Sequence, residues 1–312
     1  MPVAAIQRLL ARAVRAWARV RSRIDLAARV PLLESVAMSG VLALVLIADA
    51  HAATDADAPL IFGVFPNMTV KQTLDIYQPL AHMMGERLRR RVVIYSARDF
   101  ETFAERTREG DYDVLLTAPH LAWLARQDAG YRPLLKYAEP TRGLLVAKKG
   151  SPYPTLDALR GQAIATPDAI AVAALAVQAD MAAHGLRRDV DYRTTDYGSH
   201  LNAVMQVIYG RASAAMLGLH PYRLLPAGLR EQLHILVETA PLSSLMYLTH
   251  PRLRDREANA IRKALLEFAA TPEGRVFMER GGYGGFANVD GSELRAFRPY
   301  ALQAETMMRA NP

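Results

Sequence analysis

Past Pro59 the chain alternates between short apolar runs and longer stretches in which apolar residues recur every third or fourth position, the mark of strands and amphipathic helices in turn. Residues 60–65 read as the opening strand. Residues 70–89 carry Leu74, Tyr77, Leu80, Ala81, Met84 and Leu88 on one face and predict a helix. Residues 91–96 follow as a strand, 100–109 as a helix, and 112–116 as a buried strand that ends at Thr117-Ala118-Pro119. Pro119 suits the first position of a helix running to about Asp128, because the amide it lacks would have no partner there.

A second series starts at residues 143–147 and the Gly150-Ser151-Pro152 break. Thr155 is placed to cap a short helix with Leu156 and Leu159, residues 162–166 form a strand, and 169–184 an alanine-rich helix closed by Gly185. Residues 191–196 and 212–217 read as strands on either side of a helix at 199–209. Strands at 234–237 and 244–249 and a long amphipathic helix at 255–270 follow. This alternation predicts an α/β fold of two lobes, each a mostly parallel sheet flanked by helices. A terminal segment that can rejoin the first series gives two crossings between lobes, near 139–150 and 238–246. The first lobe is then 59–142 with 243–312 and the second 143–242, a geometry that permits hinge closure on a ligand.

Before Pro59 the pattern changes. Residues 1–30 are rich in Arg and Ala, an apolar run occupies 36–48, and Ala50-His51-Ala52 precedes an acidic, polar stretch. That order is the order of a secretory signal, with cleavage after Ala52. The apolar run falls short of the roughly 20 residues that cross a bilayer. Residues 1–52 therefore read as a signal peptide or, uncleaved, as a membrane tether, and either exports the remainder.

The same segment accounts for most of the basic balance. Of a net charge of +7, seven arginines and three acids precede residue 52, so the remainder carries +3, too little for a nucleic-acid surface. The chain has no cysteine, which excludes a disulfide framework, a thiolate zinc site and a cysteine nucleophile. It does not exclude an oxidising compartment, because a chain of 312 residues can bury enough surface to fold without staples.

Several motifs, taken in order, resemble one family. They are the opening strand with its Pro66 loop; Tyr77-Gln78-Pro79-Leu80; Gly110-Asp111-Tyr112-Asp113-Val114; Lys149-Gly150-Ser151-Pro152 with Leu156-Asp157-Ala158-Leu159-Arg160-Gly161; and Gly198-Ser199-His200. Across residues 59–275 this succession is similar to that of the periplasmic binding proteins of phosphate, phosphite and phosphonate ABC transporters. The resemblance implies a type II periplasmic-binding-protein fold, a periplasmic location, and a ligand held at helix N-termini between the lobes. It also marks departures. The Ser-Thr-Ser run that members place after the strand at 163–166 reads Ala169-Ile170-Ala171 here, a cleft aromatic is replaced around Thr141-Arg142, and the acid that follows the His of the Ser-His pair is Leu201. These changes tell against an aminophosphonate ligand.

The candidate ligand-binding residues sit at or just past the carboxyl ends of predicted strands, or at the crossings, where open α/β sheets bind ligands. They are Asn67 and Thr69, then Phe100, Thr117 and His120, then Thr141, Arg142, Thr166, Asp168, Ser199 and His200. Arg142 either clamps an anion with its planar fork of donors or is an exposed hinge residue beside Glu139. His200 either donates to a ligand oxygen or lies in a cap; Asp168 is a ligand contact or the N-cap of the helix at 169; His120 faces the cleft or solvent. Phe100 is expected against the ligand or the closing lobe. The string Gly281-Gly282-Tyr283-Gly284-Gly285 lacks the strand and the Lys-Ser/Thr of a phosphate loop and reads as a flexible connection.

No Gly-x-Ser-x-Gly elbow, His-Glu-x-x-His pair or P-loop occurs, and the eight histidines are scattered. The sequence therefore predicts a binder rather than an enzyme, with no cofactor or metal. The expectation is a monomeric periplasmic receptor that closes on a small ligand, which can be anionic, for the permease of an ABC importer. The alternative is a receptor that presents its liganded state to a membrane histidine kinase.

Overall fold

The computed structural model describes residues 58–310; the signal-like segment and its cleavage site after Ala52 lie outside the described residues. The opening strand β1 (Leu60–Val64) enters the core at once, and α1 (Val70–Leu88) covers it with Tyr77, Leu80, Ala81 and Met84. Their three- and four-residue spacing makes one stripe. Leu74 was expected on that stripe but is 41% exposed; Thr73, one residue earlier, points inward instead.

The first pass continues through β2 (Val92–Tyr95), α2 (Phe100–Arg108), β3 (Val114–Thr117), α3 (Pro119–Ala129) and β4 (Arg132–Tyr137). The second runs through β5 (Gly143–Lys148), β6 (Ala163–Thr166), α4 (Val172–Ala183), β7 (Arg193–Asp196), α5 (His200–Ile208), β8 (Ala214–Gly218), α6 (Leu219–Leu224), α7 (Ala227–Arg230) and β9 (Leu233–Glu238). The chain then returns through β10 (Met246–Thr249), α8 (Asp255–Ala270), α9 (Pro272–Gly281), β11 (Phe286–Ala287), α10 (Gly291–Ala296) and α11 (Arg298–Ala310). Where a Thr155-capped helix was expected there is a single 3-10 turn, Asp157–Leu159, flanked by Leu156.

Two sheets result, one ordered β11-β4-β10-β3-β1-β2 and the other β7-β6-β8-β5-β9. They are more mixed than the expected mostly parallel arrangement. β1 is parallel to β2 and β3, and β6 to β7 and β8, but β10 and β5 run antiparallel to their neighbours on both sides. The physical reason lies in the crossings: β5 and β10 each enter their sheet directly from the other lobe, without a βαβ turn to impose parallel pairing. The two crossings bond to each other, Thr141 N to Leu242 O at 2.9 Å and Leu242 N to Thr141 O at 2.8 Å.

The lobes meet through a shared apolar cluster. Phe65, Phe100 and Leu121 of the first pack with Ile170, Ala171 and Val172 of the second. Burying a side chain such as Ile170 is worth roughly 1.5–3 kcal/mol, so the segment with no hydroxyls works here as adhesive between lobes. His120 Nε2 lies 2.8 Å from the Ile170 carbonyl across the same seam.

A second seam involves the glycine string, which is a packed turn rather than a flexible connection. Tyr283 is buried at 2% exposure and its ring stacks on Tyr137 at 3.9 Å. A Cβ on Gly281 would lie 2.1 Å from the Tyr283 ring, and Gly282 has φ +63° with Arg223 of the second lobe directly over it. Arg223 Nη1 donates to the Gly282 carbonyl at 3.3 Å.

Candidate functional site

The first amides of any α-helix lack an intrahelical acceptor and must find one elsewhere. In α1 the Thr69 hydroxyl accepts from Gln72 N, in α2 the Asp99 carboxylate accepts from Thr102 N, and in α5 the Ser199 hydroxyl accepts from Asn202 N. In α3 and α4 the N-cap residues are Ala118 and Ala171, which have no oxygen to offer. Both alanines line one cavity of about 50 Å³ between the lobes, with Val172 and Ala173 of the first turn of α4 beside them. That volume holds several waters, at ~10–15 Å³ apiece. One uncapped helix of more than two turns comes from each lobe; the six-residue α6, whose N-cap Gly218 likewise offers no side-chain oxygen, borders the cavity as well.

The rest of the lining is apolar body and polar tip. Phe65, Phe100 and Leu245 supply the first; Asn67, Thr141, His200 and His220 the second. Among the described residues no Arg, Lys, Asp or Glu lines the cavity. Asn67 Oδ1, His200 Nδ1 and His220 Nε2 are buried without a hydrogen-bond partner. Burial lowers both imidazoles to about 4, the neighbouring Arg223 adding to the effect at His220. The field at the cavity therefore comes from helix termini and neutral polar groups, and the free first-turn amides are the part of it that favours an anion's oxygens.

The structure brings Asn67, Phe100, Thr141 and His200 to this cavity and places the other candidate residues elsewhere. Thr69 is spent in a capping box with Gln72. Thr117 is fully buried in a separate small cavity beneath α2 and α3. His120 faces neither cleft nor solvent; it is fully buried, holds the Ile170 carbonyl, and is lowered to about 4 by desolvation. Arg142 turns away, donating to the Thr239 carbonyl at 2.8 Å and pairing with Glu238 at 3.2 Å, because that carboxylate and carbonyl lie on the adjoining crossing. Thr166 Oγ1 donates to Asp196, and Ser199 is the cap of α5.

Asp168 corrects the expected start of α4. Its carboxylate accepts from Ile170 N at 3.0 Å and its carbonyl from Ala171 N at 3.2 Å, forming a turn that delays the helix from Ala169 to Val172. Burial raises the Asp168 carboxyl to about 6, offset in part by the Ile170 and Phe100 amides. The residue the sequence reading missed is His220. It lies just past the end of the strand expected at 212–217, so the rule that selected its neighbours would also have selected it.

A larger groove of about 380 Å³ lies between α1, α8 and α9, lined by Ile76, Pro79, Phe268, Val276 and Phe277 with Asp75, Glu273 and Arg280 among them. Among the described residues, uncapped helix ends and buried unpartnered polar atoms meet at the interlobe cavity, which makes it the candidate site. Among the same residues no group of three or more His, Asp or Glu side chains is set to hold a metal, and no helix is long and apolar enough to cross a membrane.

Residues 62–294 match the family of periplasmic substrate-binding proteins of phosphonate ABC transporters. No curated protein matches by sequence. Among solved structures, a binding protein component of an ABC phosphonate transporter from Pseudomonas aeruginosa superposes with TM-score 0.70 at 17% identity, covering 82% of this chain and 90% of that one. PhnD1 from Prochlorococcus marinus in complex with methylphosphonate gives 0.68 at 11%, covering 79% and 98%. A Xanthomonas citri protein bound to ATP gives 0.64 at 19%, covering 80% and 99%.

Proposed function

We propose that this chain, which belongs to the family of periplasmic substrate-binding proteins of phosphonate ABC transporters, is the receptor that captures a small oxyanion between its lobes and delivers it to the importer's permease. The observation that carries this reading is the pair of uncapped helix N-termini, α3 from one lobe and α4 from the other, at a single cavity. A ligand oxygen shared between them would hold the lobes together, which is what a capture device requires. The family's hydroxyls are replaced by Ala169, Ile170 and Ala171, so backbone amides are the donors and affinity rests on them.

The receptor acts as a periplasmic monomer and leaves its ligand unchanged. Calorimetric titration with inorganic phosphate, phosphite, methylphosphonate and small carboxylates tests it. At a hundredfold excess over the dissociation constant a ligand adds about 2.7 kcal/mol to stability, so a thermal upshift should accompany binding. Absence of both heat and upshift for every anion in the panel would sink the reading.

A further inference from the structure

A buried anion needs compensating charge, and the cleft supplies none from fixed cations. Arg142 is committed to Glu238 and the Thr239 carbonyl, and Arg223 to the Gly282 carbonyl. What the cavity does hold is a pair of imidazoles. His200 and His220 are 6% and 4% exposed, and both line it. Each has a ring nitrogen with no partner, Nδ1 in His200 and Nε2 in His220. The other nitrogen of His220 lies 3.5 Å from Ser244 Oγ. His220 stands edge-on to the Tyr283 ring at 5.1 Å, with Arg223 the charged group that bears on it. On His200 burial alone acts.

Resting on the reading of the cleft as an oxyanion site, we propose that the anion is captured together with one proton, which His200 and His220 take up as they close on it, so that the bound state is an imidazolium–oxyanion pair. Free in the cleft, a desolvated imidazole gives up its proton because burial penalises the charged form. An anion at hydrogen-bond distance reverses the balance and turns an unpartnered nitrogen into a charge-assisted donor. The ligand class follows: a small singly charged oxyanion whose charge one imidazolium neutralises, with the α4 amides as further donors. The proton comes from solvent and returns to it on release, and no covalent bond changes.

Linkage fixes the sign. Both histidines are neutral in the ligand-free protein above about pH 5, so a bound state that holds one more proton tightens about tenfold for each unit the pH falls. The test is calorimetry from pH 5.5 to 8 in paired buffers of different ionisation heat, with methylphosphonate and methanesulfonate as probes. Methanesulfonate carries no titratable proton in that range, so any uptake it causes belongs to the protein. The expected result is uptake approaching one proton and an affinity for methanesulfonate at least a hundredfold tighter at pH 5.5 than at 8. His220→Asn and His200→Asn, which keep a donor but cannot charge, should flatten that slope singly or together.

Binding of both probes with no proton uptake and no pH slope would overturn the proposal while leaving the receptor reading intact. So would full uptake that survives both substitutions, or methylphosphonate bound and methanesulfonate refused at every pH, since the proton would then ride on the ligand. Should neither probe nor any anion of the wider panel bind at any pH, the oxyanion reading itself falls and the proposal with it. The wild-type slope stands as a test even if one variant fails to fold.

Discussion

The helices α1, α2 and α5 and the helices α3 and α4 begin in opposite ways. The former open on Thr69, Asp99 and Ser199, whose oxygens take the first free amides; the latter open on Ala118 and Ala171, which take none. α2 and α5 also reach the cavity, through Phe100 and His200, yet each has a first-turn amide already engaged by its cap. The difference teaches where ligand can be held: a side-chain cap and a bound anion compete for the same donors, and among the described residues two cleft helices longer than two turns, α3 and α4, have no such cap. Around those two lie the unpartnered atoms of Asn67, His200 and His220, so the ligand-free cleft carries the cost that the capped helices have avoided.

Acid should expose that contrast most strongly. His120, His200 and His220 are each lowered to about 4 from 6.5, so between those values the unfolded chain binds more protons than the folded one. Stability is then full above pH 6.5 and declines as pH falls toward 4, by on the order of 3 kcal/mol per fully shifted histidine. Asp168, raised to about 6 from 3.8, works the other way over pH 6 to 4, but is one group against three. Urea unfolding at pH 7 and pH 5 should show a loss of several kcal/mol, and a saturating oxyanion should shrink it. A flat profile would mean the imidazoles are hydrated.

The next largest effect comes from giving α4 its own acid. Ala171→Asp places a resident carboxylate on the amides that the ligand needs, and should weaken oxyanion binding about a hundredfold, the scale of losing one or two charge-assisted hydrogen bonds. Ala171→Ser, whose hydroxyl would cap the same amides without a charge, should weaken it less, by up to about tenfold. Calorimetry with methylphosphonate reads both. An Ala171→Asp protein that binds like the wild type would remove α4 from the site.

Much of this was legible in the sequence, and the gaps have physical causes. Strands β1, β3, β6 and β8 stood out because they are buried on both faces and so read as continuous apolar runs. β4 did not, since it carries Pro133 and charged Arg132 and Lys136 and has only the two-residue β11 beyond it. At the site, position along the fold was readable and side-chain commitment was not. Asn67, Thr141 and His200 could be placed at strand ends, but nothing in the sequence says that Arg142 prefers Glu238, a residue 96 positions away, to the cleft. The alanines looked like a loss when only hydroxyls were counted; against the capped helices they are the opening.

Thr69→Ala tests the capped side of the comparison. The hydroxyl accepts from Gln72 N at 3.3 Å and Gln72 Oε1 accepts from Thr69 N at 3.2 Å, a reciprocal cap on the longest helix of the first lobe. Its removal should cost about 1 kcal/mol in urea unfolding. Oxyanion affinity should stay within twofold. A large drop in affinity with stability unchanged would return Thr69 to the site and blur the division between capped and open helices.

The smallest effect, and the sharpest on a single residue, belongs to Arg142→Ala. If the guanidinium clamped the ligand, its loss would cost tenfold or more in affinity, as charge-assisted contacts do. The geometry assigns it elsewhere, tying β5's entry to the return crossing through Glu238 and the Thr239 carbonyl. The pair is part exposed, with side chains 35% and 49% accessible, so solvent screening limits it to no more than about 1 kcal/mol of stability. Affinity for methylphosphonate should therefore change by less than threefold at low salt. Long-range attraction from a cation outside the cavity would disappear by about 0.5 M salt, whereas a direct clamp on the ligand would persist there, because a buried contact is screened far less than an exposed one. Measuring the variant at both salt concentrations separates a clamp from a distant charge, and a salt-resistant tenfold loss would put Arg142 back among the ligand's donors.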